Sequence, residues 1–456
     1  MERLQNFYEE PPKKVPVREF DVVVAGGGTA GVVAAIASAR QGAKTALIEA
    51  KGYVGGTVVE GGTALHSFFN LWKPFPGVEK RQVVKGIPQE IVDRLAAIGG
   101  CSGHGDQTVG YNYDSTCTVV DTELYKLVAL EMLEEAGVFV CLNTLLVGAV
   151  REGNRITGAI VESRSGREVF AAKCFVDCTG YGDLAARAGA EFIERNDYAV
   201  CNSMGLANVD IDRFHKFLEE REAISELAFG LRDGGWSLIR LNASGNKLPR
   251  EFIQEAGKIG LSTVTTTVHD NYLMFVKVNM KVRGSLLDRD AVSRAELELR
   301  RRQKRAVELF REYIPGFEKA FIARTSPSLT IRRSRTVICD YDITHEDVVE
   351  ARHFEDDVLV YGFHDMAPRY TVGRGETYGI PYSALRVKGM DNLLAAGMLI
   401  TSDRRAHMST RNTVCCMGQG QAAGTAAALC ALRGETTREL PYKALRERLE
   451  REGVYL

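Results

Sequence analysis

No cysteine pair in this chain has the C-x-x-C spacing on which zinc ribbons and iron–sulfur clusters depend. The ten cysteines are scattered; the nearest groupings are Cys174 with Cys178 and the adjacent Cys415 and Cys416. They are expected to be reduced thiols acting mostly as small apolar fillers, with no metal site. An excess of one charge is also missing. Lysine plus arginine total 58 against 59 acidic residues, a formal net charge of -1, so nothing draws the whole chain to nucleic acid. No apolar run is long enough to span a membrane. Met1 to Arg18 is polar, carries Pro11, Pro12 and Pro16, and has no apolar h-region, so it reads as a leader arm and not a targeting peptide. Internal repeats and low-complexity segments are absent as well. These absences predict a soluble, cytoplasmic protein with no nucleic-acid partner and no membrane insertion.

What is present is an ordinary globular composition, 45% hydrophobic and 26% charged, in a chain of 456 residues. That length exceeds what one hydrophobic core supports, so two packed regions are expected. The clearest local pattern is a β-α-β unit: a strand over Phe20 to Ala25, a small-residue helix over Thr29 to Arg40 ending at Gly42, and a second strand over Lys44 to Glu49. Between strand and helix runs Gly26-Gly27-Gly28-Thr29-Ala30-Gly31, a G-x-G-x-x-G match. Gly26 permits the tight turn, Gly28 leaves room for a pyrophosphate beside the backbone, and Gly31 lets the helix approach the sheet. The free amides at the helix start, Thr29 and Ala30 included, then face phosphate charge. Glu49, at the end of the second strand, is placed to accept hydrogen bonds from ribose hydroxyls. Strand, glycines, helix and acid together point to a dinucleotide.

Three later features favour FAD over NAD. Ala50, Lys51, Gly55, Gly56 and Thr57 follow the acid directly, where a glycine pair lets the backbone track a long cofactor; the stretch from Gly52 to Gly62 is expected to be irregular. Asp177 to Asp183, with Thr179 and Gly180, ends a strand far downstream, as though the chain returns to the nucleotide. Finally, Asn392 to Gly397 reads as an apolar strand entering a turn, ahead of a helix opening at Gly418 and containing Gly420, Gln421 and Ala422. A helix start there would favour negative charge on a reduced flavin. A second strand-framed G-x-G-x-x-G is missing, which argues against a separate NAD(P)H domain. Elsewhere, Asp121 to Ala136 reads as an amphipathic helix and Ser262 to Val282 as sheet. Arg294 to Tyr313 reads as a charged helix whose Glu296, Glu298 and Glu308 make its basic run a solvated face.

These blocks, in this order, resemble the FAD-dependent oxidoreductases of the glutathione-reductase-like superfamily. More narrowly they resemble a bacterial family ending in I-P-Y-x-x-L, N-L-x-x-A-G and G-Q-x-x-G-x-A-A. Here those are Ile380 to Leu385, Asn392 to Gly397 and Gly418 to Ala427. Ile331 to Arg335, Asp340, Asp356-Asp357 and His364-Asp365 fit the same pattern. Two departures are Met398, where Arg is common, and Cys415-Cys416, where small residues are usual. The resemblance implies an α/β flavoprotein with a discontinuous Rossmann-like FAD-binding domain (residues 1–190 and 376–456) and an inserted α+β substrate domain (191–375).

The implied activity is hydride transfer between FAD and a small polar metabolite, with oxidation of a hydroxyl or C–H group preferred. The alternatives are a fumarate-reductase-like reduction of an unsaturated acid, and a flavin-carrying electron-transfer protein with no small substrate. An external electron donor or acceptor is a further expected partner; the oligomeric state is left open. His407 and His364 are candidate proton carriers. Arg411 and Arg374 are candidate clamps for a carboxylate or enolate, and Tyr382 completes the catalytic set. Asp365, Tyr378, Arg404 and Arg405 lie beside them in sequence. His66 and Asn70 follow the glycine-rich loop, and His104 and His345 read as exposed or structural.

Overall fold

The computed structural model describes residues 10–61, 81–109, 116–262, 264–366, 369–373 and 376–456. Its first strand, β1 (Val17–Ala25), turns into α1 (Thr29–Arg40) and then β2 (Thr45–Ile48). The last residues of β1 and Ala46 to Ile48 of β2 are apolar and buried, as expected of parallel strands covered on both faces. β1 pairs in parallel with β2 on one side and with the strand Gly166–Asp177 on the other. Phe139–Cys141 adds beyond β2, and Leu393–Ala395 pairs in parallel with the end of Gly166–Asp177. The first half of that long strand instead pairs antiparallel with Arg155–Ser163, which leads to Leu145–Glu152.

Strand register decides where the connecting loops emerge. Ala25 lies opposite both Ile48 and Asp177, and Asp177 opposite Ala395. With Cys141 opposite Ile48, five parallel strands therefore end level, and the five segments leaving them emerge along one edge of the sheet. Against this sheet lie α1 and the helix Thr413–Arg433, both almost wholly buried. Their small side chains let the backbones cross closely: a Cβ added at Gly420 would fall 2.2 Å from the Ala30 carbonyl oxygen, and one at Gly424 2.1 Å from that of Ala34.

A second, antiparallel sheet runs in the order Phe321–Thr325, Val200–Ala207, Tyr272–Met280, Val264–Thr266, Gly235–Ala243, Ile224–Arg232, Cys101–Val109, Thr116–Val120. One of its faces is packed by the helix Arg289–Tyr313, whose Leu299, Ala306 and Phe310 share a separate apolar core with Val276 and Val278. The exposed side of that helix carries (i, i+4) pairs between Glu296 and Arg300, Glu298 and Arg302, and Lys304 and Glu308. The expectation of a solvated basic face holds for Arg301 and Lys304, whereas Arg300 and Arg302 are half-buried and donate to the carbonyls of Ser326 and Asn279.

Two expectations about elements are corrected. The stretch from Gly52 to Gly62 contains a short helix, Thr57–Gly61, because Val58 and Val59 find a buried apolar setting. The last long helix opens at Thr413, not Gly418: Val414 to Met417 continue its buried face, and the glycines act as contact points inside it. Among the described residues no helix is long and apolar enough to cross a membrane.

Candidate functional site

The level strand ends open into one cavity of about 490 Å³, within the size range of cofactor and substrate sites. Its lower wall is made by the segments leaving the parallel sheet: Gly26 to Ala30, Glu49 to Lys51, Cys178 to Gly180 and Ala396 to Met398. Gly26 has φ +94°, and a Cβ there would lie 2.5 Å from the Cys178 carbonyl oxygen, so only glycine allows these two turns to cross. Gly28 is different: a Cβ would meet nothing closer than 3.9 Å, so its missing side chain leaves open space toward the cavity. As N-cap of α1, Gly28 supplies no side-chain acceptor, and the first turn holds no acidic residue. The helix start is left with its positive end uncompensated.

Glu49 lines the cavity, with Oε2 accepting from the Gly27 amide and Oε1 from the Lys51 amide, both at 2.8 Å. Burial pushes its pKa up, while those two amides pull it down. Asp177 sits just below and does not line the cavity; it accepts from the Thr179 amide and hydroxyl and from the Ala185 amide, and so shapes the Cys178–Gly180 turn. The helix Thr413–Arg433 also starts in the cavity, through Asn412 and Thr413, and Asn412 provides no side-chain cap.

Of the expected cofactor contacts, Gly26, Gly28, Thr29, Ala30, Glu49, Ala50, Lys51, Gly56, Thr57, Thr179, Gly180 and Gly397 line the cavity. Gly31, Gly55, Gly418, Gly420, Gln421 and Ala422 do not. A Cβ on Gly31 would fall 1.8 Å from the Gly26 carbonyl oxygen, one on Gly55 would meet Val59 and Tyr125, and one on Gly418 would meet Leu359. Gln421 turns the other way, its Oε1 accepting from the Ile87 amide at 3.0 Å; Ala422 is buried within the helix.

Of the catalytic candidates only Arg411 reaches the cavity wall. It is ion-paired with Asp365 and lies 5.7 Å from the centre of the Tyr198 ring. His407 is fully buried behind the wall. Its Nε2 donates to the Met398 carbonyl at 3.0 Å, which leaves Nδ1 as an acceptor 3.1 Å from the Tyr198 hydroxyl, whose single proton it shares with the Arg404 carbonyl at 3.2 Å. Burial, with Arg333 and Arg411 nearby, holds its pKa well below the usual histidine range. His364 is also buried, accepts the Met366 amide at 3.1 Å, and is pushed down to about 4, mainly by burial. Tyr382 donates to the Thr437 carbonyl at 2.9 Å, and Tyr378 shares a hydrogen bond with Ser409. Neither meets the cavity. Arg374, His66 and Asn70 lie outside the described residues.

The upper wall comes from the second sheet, and sequence reasoning missed it. Cys201 and Ser203, with Phe275 and Lys277, line the cavity from neighbouring strands, joined by Arg240, Val264 and Arg332. Ser203 lies opposite Lys277, while the intervening Val276 and Val278 face the second core. The period-2 alternation in this strand carried the signal, but nothing local says which face meets a ligand.

The site fits a dinucleotide: two uncapped helix starts, a half-buried acid, and a glycine opening where a side chain would block approach. A sequence profile described as "FAD dependent oxidoreductase" matches residues 21–449. The 3-oxosteroid 1-dehydrogenases of Mycolicibacterium smegmatis and Mycobacterium tuberculosis are 39% and 37% identical over 83 and 84 residues. Each match covers 18% of this chain and spans only 14% of the relative's length. Among solved structures, a geranylgeranyl bacteriochlorophyll reductase-like protein of Thermoplasma acidophilum is 14% identical with a TM-score of 0.46, covering 96% of this chain and 83% of its own. The p-nitrophenol 4-monooxygenase of Pseudomonas putida is 12% identical with a TM-score of 0.48, covering 96% and 89%.

Proposed function

The chain belongs to the FAD dependent oxidoreductase family, and on that premise we propose that it transfers hydride between FAD and a small polar molecule, as a member of the glutathione-reductase-like superfamily. The carrying observation is the convergence of five level strand ends and two uncapped helix starts on one cavity. FAD, when bound, supplies the hydride chemistry; the protein supplies binding, orientation and electrostatics.

In this reading the amides of Gly28 to Ala30 hold the diphosphate and Glu49 holds the adjoining ribose. The uncapped start of the helix Thr413–Arg433 would favour negative charge on the bound cofactor. His407 acts as a positioning residue, fixing the Met398 carbonyl in the wall; a neutral buried imidazole already committed to Met398 and Tyr198 is not a free proton carrier. Tyr181 and Phe363, which line the cavity, exclude water. Arg411, braced by Asp365, holds a polar group of the substrate. Residues 1–190 and 376–456 are assigned to the FAD part and 191–375 to the substrate part, with two exchanges: the strands Cys101–Val109 and Thr116–Val120 join the second sheet, and Val337, Val358, Leu359 and Val372 pack into the core of the FAD part. Oxidation of a hydroxyl or C–H group is preferred over reduction of an activated double bond.

The test is anaerobic mixing of the FAD-loaded protein with hydroxy acids, polyols and unsaturated acids, following the flavin absorption band. Bleaching by a hydroxylated or saturated substrate supports the preferred direction. Reoxidation of pre-reduced protein by an unsaturated acid alone reverses it. A chain that retains no FAD defeats the reading altogether.

A further inference from the structure

Resting on that reading, we infer that the substrate is a small carboxylate, held by a cationic wall of Lys277, Arg332 and Arg411 in which Lys277 is the principal contact. All three line the cavity. Among the described residues no carboxylate pairs with Lys277 or Arg332; Arg332 donates to the Ala199 carbonyl at 2.8 Å. Asp365 is the acid of this wall, and Arg411 already holds it. Three cations against one acid leave this end of the cavity positive, and each half-buried cation can give a charge-assisted hydrogen bond to a carboxylate.

The backbone adds an independent sign. Phe275 has φ +70°, left-handed for a bulky aromatic residue, a conformation that persists only where the surroundings hold it. It sits at a break in register between Val200–Ala207 and Tyr272–Met280, between the pairs Met204 with Val276 and Leu206 with Leu273. The extra residue of this bulge turns Phe275 to the cavity side, where the Lys277 ammonium lies 4.2 Å from its ring centre. The ring covers one side of the cation and leaves its other side for a ligand.

The charges that bear most on Lys277 are those of Arg332, Cys201, Asp365 and Arg411, whereas Glu49 responds to Lys51 and Glu60. Glu49 and the Lys51–Glu60 pair thus lie at the nucleotide end of the cavity, and Lys277, Arg332 and the Arg411–Asp365 pair at the other. Burial and the neighbouring Arg332 pull the Lys277 pKa down to about 8, so its charge, and with it anion binding, is present below that pH and lost above it.

Calorimetric titration of the full FAD-loaded chain with lactate, malate and succinate, against their neutral amides and inorganic phosphate, tests this. Carboxylates are expected to bind and amides not. Lys277→Gln and Arg332→Gln are each expected to weaken binding by about tenfold or more, the scale of one charge-assisted hydrogen bond, with flavin content unchanged. Wild-type affinity should fall as pH passes about 8, and Lys277→Arg should bind without that fall, which a purely structural lysine would not produce. The inference is overturned if FAD is retained but the carboxylates do not bind, if amides or phosphate bind as well, or if Lys277→Gln binds like wild type. Loss of FAD from the wild-type chain would instead sink the functional reading beneath it.

Discussion

Gly420 sits against Ala30 so closely that one added methyl group would lie 2.2 Å from the Ala30 carbonyl oxygen. Because both helices are buried and anchored to the same sheet, neither can move aside cheaply. Gly420→Ala is therefore expected to destabilise by about 1–3 kcal/mol despite the better helix propensity of alanine. Gly257, in the exposed helix Arg250–Ile259, has nothing within 4 Å of an added Cβ. Gly257→Ala should stabilise by up to about 1 kcal/mol. Denaturant midpoints of the two variants should move in opposite directions; a shared direction would refute the close-crossing account.

Glu49 offers a second test, because both its oxygens already accept backbone amides. In Glu49→Gln the new NH2 must face one of two N–H donors, Gly27 or Lys51. The loop is expected to shift and FAD affinity to fall by about tenfold or more, given 1.5–3 kcal/mol for hydrogen bonds to a charged acceptor. Flavin content after purification and fluorescence titration of the apoprotein measure it. Unchanged affinity would remove Glu49 from the cofactor site.

The β1–α1–β2 unit was legible because its determinants are local: the helix runs over Thr29–Arg40 as expected, and β2 over Thr45–Ile48. The later glycines were harder. Gly397 and Gly420 look alike in sequence, yet Gly397 lines the cavity while Gly420 is spent on a helix crossing. Position in the helix, five residues further along than expected, separated the two roles, and sequence spacing could not. Histidines misled for a related reason. His407 and His364 stand in the right part of the chain, but burial directs their nitrogens into the wall. Lys277 left no motif because its significance depends on a bulge and on which sheet face meets the cavity, both properties of long-range pairing.

Arg333 makes a stability prediction. Its side chain is almost fully buried, and its three nitrogens serve three partners: Nε to Thr336, Nη1 to Asp197, and Nη2 to the Ser402 carbonyl. Lysine cannot reproduce that fork. Arg333→Ala is expected to cost about 3–5 kcal/mol, as when a buried pair loses one member, and Arg333→Lys a large part of it. Thermal melts should rank wild type above Lys above Ala. A lysine variant equal to wild type would show that charge alone matters here.

The buried histidines set a direction for acid sensitivity. His364 is pushed down to about 4 and His407 well below its usual value, burial being the first cause in each. The unfolded chain therefore binds protons near pH 6.5 that the folded chain refuses. Stability from these groups is complete above about pH 6.5 and is lost as pH falls toward the folded values, at up to about 1.4 kcal/mol per pH unit for each histidine. His269 works the other way. Held between Asp121 and Asp233, its pKa is raised, so what it contributes is present at low pH and fades as pH rises through that value; its partial exposure keeps that contribution small. Urea denaturation from pH 7 to pH 5 should thus show a steep loss. It should flatten in His364→Gln and in His407→Gln, and change little in His269→Gln. Equal slopes in wild type and both buried-site variants would mean that these imidazoles are protonated in the folded state, and the neutral, wall-holding role of His407 would fall with that result.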